Sequence, residues 1–147
     1  MIAIQHPPRF LRSLALFAAG ILAGCGDGDG GGTEADRAGV AAECTQTTDC
    51  ATYSLVDGGP KQLECLPDFK GGYCGIEGCT ETAECPGGAI CVKHTDNAKY
   101  CFRRCADKLE CNANRTADNE ANCSSSFDWA LEADDDGSKA CIPPSGS

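Results

Sequence analysis

The chain has few of the side chains that usually build a large hydrophobic core. Aromatic residues make up 6% of its 147 residues, with one tryptophan and one methionine. Because large apolar side chains are scarce, a fold of this size buries little surface per residue and needs crosslinks. Zinc is not the expected crosslink, since no Cys-x2-Cys pair occurs and the two histidines are His6 and His94.

Positive charge is also scarce. The chain has 12 lysines and arginines against 22 acidic residues, a net charge of −10. Removal of the first 24 residues, whose charged side chains are Arg9 and Arg12, would lower the net charge to −12. Such a chain disfavours nucleic acid and anionic lipid head groups as partners of its folded part. We therefore expect no nucleic-acid partner, and solubility is the simplest reason for the charge.

A recognisable catalytic grouping is missing as well. The serine run 124–126 has no histidine placed beside it, and His94 is expected to be a solvated turn residue. The acidic stretches 27–29 and 132–137 lack the bidentate acid that closes a calcium loop. We predict that the chain is not an enzyme and has no metal or cofactor. The alternative is a secreted enzyme or a metal or redox protein, which would need free thiolates or bound metal.

The N-terminal segment has the features of an export signal. Arg12 ends a basic region, and the apolar run from Leu14 to Leu22 is shorter than the ~20 residues that a membrane-spanning helix needs. Small residues follow at Ala23 and Gly24, and Cys25 comes next. We predict that residues 1–24 are a signal peptide. An ordinary signal with a chance cysteine, or an uncleaved anchor, is the alternative.

The four residues Leu22-Ala23-Gly24-Cys25 resemble the lipobox of bacterial lipoproteins. The resemblance implies cleavage before Cys25 and acylation of Cys25 by diacylglycerol and a further chain such as palmitate. Two or three acyl chains form a stable membrane anchor. Gly26, rather than aspartate, follows the cysteine. By the sorting rule of such lipoproteins, this implies the outer membrane of the bacterial envelope.

Glycine and acidic residues dominate the stretch after Cys25. Glycine-rich chain is flexible, and its carboxylates keep it solvated. We therefore predict that residues 25–43 form a disordered tether that lifts a folded body off the lipid.

Twelve cysteines remain after Cys25, and an exported chain would pair them as disulfides. Three times, five residues separate two cysteines and an acid precedes the second, namely in Cys44–Cys50, Cys79–Cys85 and Cys105–Cys111. Two more cysteines follow each of these openers. The spacing predicts three tandem four-cysteine units, 44–74, 79–101 and 105–141, with a tail at 142–147.

Short β-hairpins are expected inside the units. In the second unit, strand-like segments 89–92 and 99–102 flank the turn 95–98, and the first unit follows the same plan at 62–66 and 70–74. Little helix is expected outside the signal peptide. Four cysteines allow three connectivities. Joining the first to the third and the second to the fourth ties each opener to both hairpin strands, and we favour the pairs Cys44–Cys65, Cys50–Cys74, Cys79–Cys91, Cys85–Cys101, Cys105–Cys123 and Cys111–Cys141.

The stretch CTETAECPGGAIC at 79–91 resembles repeats of bacterial cysteine-rich lipoproteins, which are similar to the Dickkopf N-terminal cysteine-rich module. The first unit fits this resemblance less closely, and the third lacks the Pro-Gly turn. The resemblance implies a small disulfide-rich scaffold and carries no catalytic residues.

Basic and aromatic side chains cluster around the end of the second unit. This composition is typical of interaction hot spots, and the candidate partner contacts are Lys99, Tyr100, Phe102, Arg103 and Arg104. The alternative is that the basic residues only neutralise an acidic surface, or that basic and aromatic residues simply occupy the two faces of a strand. Phe127 and Trp129 share a face if their segment is a strand, and they would cover the third unit's disulfides or anchor a partner.

These patterns together predict a lipid-anchored, disulfide-stapled envelope protein that presents a binding or adhesive surface. A protein or an envelope polysaccharide would be its partner. A structural envelope spacer is a further alternative.

Overall fold

A computed structural model describes residues 32–55 and 59–146 of the chain. The predicted signal peptide, Cys25 and residues 26–31 lie outside the described residues. The described part has two short helices, α1 (Glu34–Ala38) and α2 (Lys108–Cys111), together with 3-10 turns and nine strands. The strands are β1 (Thr52–Leu55), β2 (Gly59–Gln62), β3 (Glu64–Cys65), β4 (Cys74–Gly75), β5 (Ala89–Lys93), β6 (Lys99–Cys105), β7 (Asn122–Ser124), β8 (Asp128–Trp129) and β9 (Lys139–Ile142).

Six disulfides hold this set of short strands together. The small disulfide-rich fold with little helix is therefore confirmed. None of the helices within residues 32–55 and 59–146 is long and apolar enough to cross a membrane.

The strands form three antiparallel sheets. The first unit contributes two small ones, β1 with β2 and β3 with β4. The second and third units share a five-stranded sheet of order β7-β9-β6-β5-β8. The hairpin of the second unit therefore lies at the centre of this sheet, and strands of the third unit lie on both sides of it. The β1–β2 pair was not predicted from the sequence.

The central hairpin, β5–β6, follows the predicted pattern. Cys91 pairs with Cys101 in its register, and the strands extend beyond the predicted segments to Lys93 and Cys105. At the turn, Asn97 has a φ of 69°, a conformation that asparagine tolerates better than most residues. The backbone N–H of Ala98 donates to the Asp96 carboxylate at 2.8 Å. Local turn chemistry thus sets the register of the hairpin.

An aromatic cluster packs on this hairpin. Phe69 of the first unit contacts Tyr100 and Phe102 of β6, and Tyr73 contacts Phe102, with ring centroids 5.1 to 5.5 Å apart. His94 joins the cluster, with its ring 5.2 Å from that of Phe69 and its side chain 8% exposed. The prediction that His94 is solvated is wrong, because the rings of two units close over it.

The N-terminal boundary of the folded body differs from the prediction. Residues 33–43, assigned to the tether, pack on the body. Thr33 and Asp36 form a capping box that starts α1, and the buried side chains are those of Ala35, Ala38, Val40 and Ala41. These small apolar side chains pack closely on the body. The prediction of a disordered tether is therefore wrong for residues 33–43.

The C-terminal tail, predicted at 142–147, is also part of the body as far as residue 146. Pro143 is buried, Ser145 forms an isolated β-bridge with Phe69, and the N–H of Lys70 donates to the carbonyl of Pro144 at 2.9 Å. The last residues of the third unit thus pack on the first unit. The three units are one packed body rather than a tandem array of independent modules.

Candidate functional site

The disulfides join the first cysteine of each unit to the third and the second to the fourth. This is the connectivity that the hairpin pattern favoured. In each unit, sulfur atoms of the two disulfides lie within 4.8 Å of one another. Because a metal ligand must be a thiolate, these sulfurs offer no ligands while they are oxidised.

The acid that precedes the second cysteine of each opener has a local structural role. Asp49 accepts from the N–H of Thr45 at 2.9 Å, Glu84 from that of Thr80 at 2.6 Å, and Glu110 from that of Ala106 at 2.7 Å. The backbone hydrogen bonds, from Thr45 and Thr80 respectively, are the main cause that lowers the pKa values of Asp49 and Glu84. The repeated acid therefore closes the opener turn.

The residues of the predicted partner surface, 99–104, do not all lie on the surface of the folded protein. Tyr100 and Phe102 are 2% and 0% exposed, so these two rings cannot contact a partner. Lys99 donates to the carbonyl of Ala130 at 3.2 Å. Strand alternation explains the error, because residues 100 and 102 point to the same face of β6 and that face meets the aromatic cluster.

The two arginines of this segment lie at the open end of the hairpin and are ion-paired. Arg103 contacts the Asp36 carboxylate of α1. Arg104 contacts Asp136 at 2.5 Å and also donates to the Ser138 hydroxyl. Hydrogen bonds from Ser138 and Arg104 lower the pKa of Asp136 to about 2. The acidic run 132–137 therefore has a structural use, and sequence spacing alone did not reveal its partners.

A cavity of about 300 Å³ opens at this end of the hairpin, and we call it the basal cavity. Thr33, at the point where the chain enters the body, lines it. Its other lining residues include Asp36, Arg103, Arg104, Glu110 and Lys139. Sequence reasoning missed this site because residues from α1, β6 and β9 meet only in the folded state. The Thr33-x-x-Asp36 capping box was the signal that could have placed α1.

A second cavity, of about 440 Å³, lies at the turn end of the hairpin, and we call it the distal cavity. Phe127 lines it, and the Phe127 and Trp129 rings pack edge to face at 5.6 Å. Both rings are partly exposed, on the edge strand β8 and beside it. The remaining lining is polar and comes from Lys93, His94, Thr95, Ser125, Ser126 and Asp128. An aromatic ring surrounded by hydrogen-bonding groups suits a polar ligand with an apolar face.

The largest cavity of the four discussed, about 610 Å³, lies against the first unit. Its charged lining residues are Glu43, Asp49 and Lys70. Glu43 accepts from the N–H and hydroxyl of Thr116, and Asp49 closes its opener. Both carboxylates are thus hydrogen-bonded within the fold. A fourth cavity, of about 470 Å³, has an acidic lining that includes Glu64, Glu77 and Glu84.

Comparison with family models, with curated proteins and with solved structures finds no match for this chain.

Proposed function

We propose that this chain is a lipid-anchored, disulfide-stapled protein of the bacterial envelope that presents a binding surface away from the membrane. One observation carries the proposal. The six disulfides use twelve of the thirteen cysteines, and the thirteenth is Cys25, which ends the lipobox-like sequence. A thiol outside the disulfide frame, placed directly after an export-type segment, is suited to acylation.

The position of α1 supports a presenting role. The chain enters the body at the open end of the β5–β6 hairpin, while the distal cavity lies at its turn end. A strand of five residues spans about 16 Å. We place the contact with a protein or polysaccharide at the Phe127–Trp129 surface, which lies at the end of the hairpin opposite the point where the chain enters the body. The outer membrane is the location that Gly26 favours.

The anchor is tested by the intact mass of protein extracted from its native membrane, before and after reduction and alkylation. The expected result is a chain that begins at Cys25, carries acyl chains and gains twelve alkyl groups only after reduction. A Cys25→Ser variant should be absent from the membrane fraction and should keep its six disulfides. A membrane-bound Cys25→Ser variant, or an unacylated Cys25, would exclude the proposal.

The binding surface has an intrinsic probe, because Trp129 is the single tryptophan. Titration with soluble envelope polysaccharide should shift its fluorescence, and Phe127→Ala should weaken the binding. Leu109→Ala, on the exposed face of α2, is the matched control and should bind like the parent protein. Equal binding by both variants would exclude the distal cavity as the binding site.

A further inference from the structure

The distal cavity differs from the basal cavity in the state of its polar side chains. In the basal cavity, Arg103 is ion-paired with Asp36. Arg104 is ion-paired with Asp136. In the distal cavity, several polar side chains have no hydrogen-bond or ion-pair partner among residues 32–55 and 59–146, namely those of Lys93, Ser125, Ser126 and Asp128. These groups can therefore bind a ligand without breaking a contact of the fold.

The walls of the distal cavity are ordered by local hydrogen bonds. On the side of the hairpin turn, the N–H of His94 donates to the carbonyl of Ala98 at 2.9 Å. On the other side, the N–H of Ser126 donates to the Ser124 hydroxyl at 3.0 Å. The two sides are joined where Asp128 pairs with Lys93 in the register of β8 and β5. Because these positions are set before a ligand arrives, binding loses little conformational entropy.

The lining of the distal cavity combines one apolar surface with hydrogen-bonding groups of every kind. Among the described residues that line it, Phe127 supplies the one Phe, Tyr or Trp ring, which is held against Trp129 at 5.6 Å. An ammonium donates, a carboxylate accepts and a serine hydroxyl does both. The volume of about 440 Å³ is that of a pocket for a small ligand, whereas a protein interface buries about 800 Å² per partner around several aromatic anchors. The lining thus favours a sugar over a protein.

The charges of the distal cavity cancel. Lys93 and Asp128 face each other in the register, and the Nδ1 atom of His94 lies 3.3 Å from the Asp96 carboxylate. The chain as a whole has a net charge of −10, which repels a polyanion. A sugar chain without charged groups is therefore the kind that this cavity can accept most readily.

We propose that the distal cavity binds an uncharged, β-linked pyranose polysaccharide, with one sugar ring stacked on Phe127. The proposal rests on the binding surface proposed above and narrows its ligand. In a pyranose with equatorial hydroxyls, the C–H groups form two flat apolar faces and the hydroxyls point outward from the ring edge. One face packs on the ring of Phe127, while hydroxyls at the edge donate to Asp128 and accept from Lys93.

Two oligosaccharides with the same backbone test the charge of the ligand. The acylated protein, in a detergent without sugar head groups, is titrated with cellohexaose and with the same hexamer oxidised at C6 to glucuronate. Calorimetry and the fluorescence of Trp129 report binding. We expect cellohexaose to bind with an affinity that is the same at low and high salt, because no net charge is neutralised. The glucuronate chain should bind several-fold more weakly.

A charge-matched pair of variants tests the location. Asp128→Asn should weaken the binding of cellohexaose several-fold, because an amide oxygen is a poorer acceptor than a carboxylate. Asp118→Asn, the same change of charge on an exposed turn of the third unit, should bind like the parent protein. Phe127→Ala should weaken the binding by roughly tenfold through the loss of the stacked ring.

The outcomes separate this inference from the function proposed above. Binding of the glucuronate chain as tight as that of cellohexaose overturns the uncharged ligand and keeps the binding surface. Equal affinities of Asp128→Asn and Asp118→Asn overturn the assignment of the distal cavity. If neither oligosaccharide binds, the inference is wrong, while the intact mass of the acylated chain still decides the anchor.

Discussion

The second and third units share a cysteine frame and a sheet, but they differ in what that frame encloses. All four cysteines of the second unit are buried, and so is most of β5. In the third unit, Cys105 and Cys123 are partly exposed, and its strands occupy the two edges of the sheet. The same opener and the same disulfide connectivity therefore support a packed centre in one unit and a surface layer in the other. The aromatic cluster covers one face of the second unit's hairpin, whereas the edge strands of the third unit leave Phe127 and Trp129 partly exposed.

The strongest test of this contrast is the loss of one phenylalanine from the central hairpin and one from the third unit. Phe102 is fully buried and lies within 6.0 Å, ring to ring, of Phe69, Tyr73, Tyr100 and His94. Phe102→Ala should lower the free energy of unfolding by about 3–5 kcal/mol, because it leaves a cavity in the core. Phe127→Ala should cost at most about 1.5 kcal/mol, since its ring is partly exposed. Denaturant unfolding measures the free energy of unfolding of both variants. Similar losses in the two variants would contradict the contrast between a packed centre and a surface layer.

Removal of one disulfide from each unit is expected to have the next largest effect. Cys85–Cys101 and Cys105–Cys123 close sequence separations of 16 and 18 residues, so the loop entropy lost is nearly equal, about 3 kcal/mol in each case. The double alanine variant of Cys85 and Cys101 should lose more than this, because its sulfurs are also packed in the core. Under limiting reductant, Cys105–Cys123 should open first, since its sulfurs belong to partly exposed residues. Differential alkylation reads this order, and an earlier opening of Cys85–Cys101 would contradict it.

The opener acids give the smallest effect. Glu84 binds both the N–H and the hydroxyl of Thr80, whereas Glu110 binds the N–H of Ala106. Glu84→Gln should therefore destabilise more than Glu110→Gln. The folded-state pKa of Glu84 lies below its ordinary value of 4.5, mainly through the Thr80 N–H. Its stabilisation is present above pH 4.5 and is lost as the pH falls through the lowered pKa. The free energy of unfolding should therefore fall less steeply below pH 4.5 in Glu84→Gln than in the parent protein. The same pH dependence in both proteins would contradict a stabilising role of the Glu84 carboxylate.

Features set by neighbouring residues could be predicted from the sequence. The fixed five-residue gap in the openers, the turn residues at 95–98 and the strand-like run 89–92 act over short distances, and the structure has a helical turn, a turn or a strand at each. The candidate site was harder to predict. Tyr100 and Phe102 were assigned to a partner surface because composition does not reveal which face of a strand is covered. The covering rings, Phe69 and Tyr73, come from another unit about 30 residues earlier.

The two ends of the folded body were also mispredicted, for a related reason. Residues 33–43 follow a glycine-rich stretch and residues 142–146 contain prolines, so both resemble linkers in composition. Their backbone groups nevertheless find partners in distant segments, as when Ala41 donates to the carbonyl of Cys74 at 3.1 Å. Long-range hydrogen bonds of this kind leave little trace in local composition.

By itself, the sequence determined the covalent frame of this protein. Cysteine spacing places the openers, and each opener turn is closed by an acid four residues after its donor, so local chemistry is sufficient. Only the tertiary structure decided which rings are buried, where the chain enters the body and which acids pair with Arg103 and Arg104. Those properties depend on contacts between segments far apart in the chain, and such contacts exist only after the units have packed together.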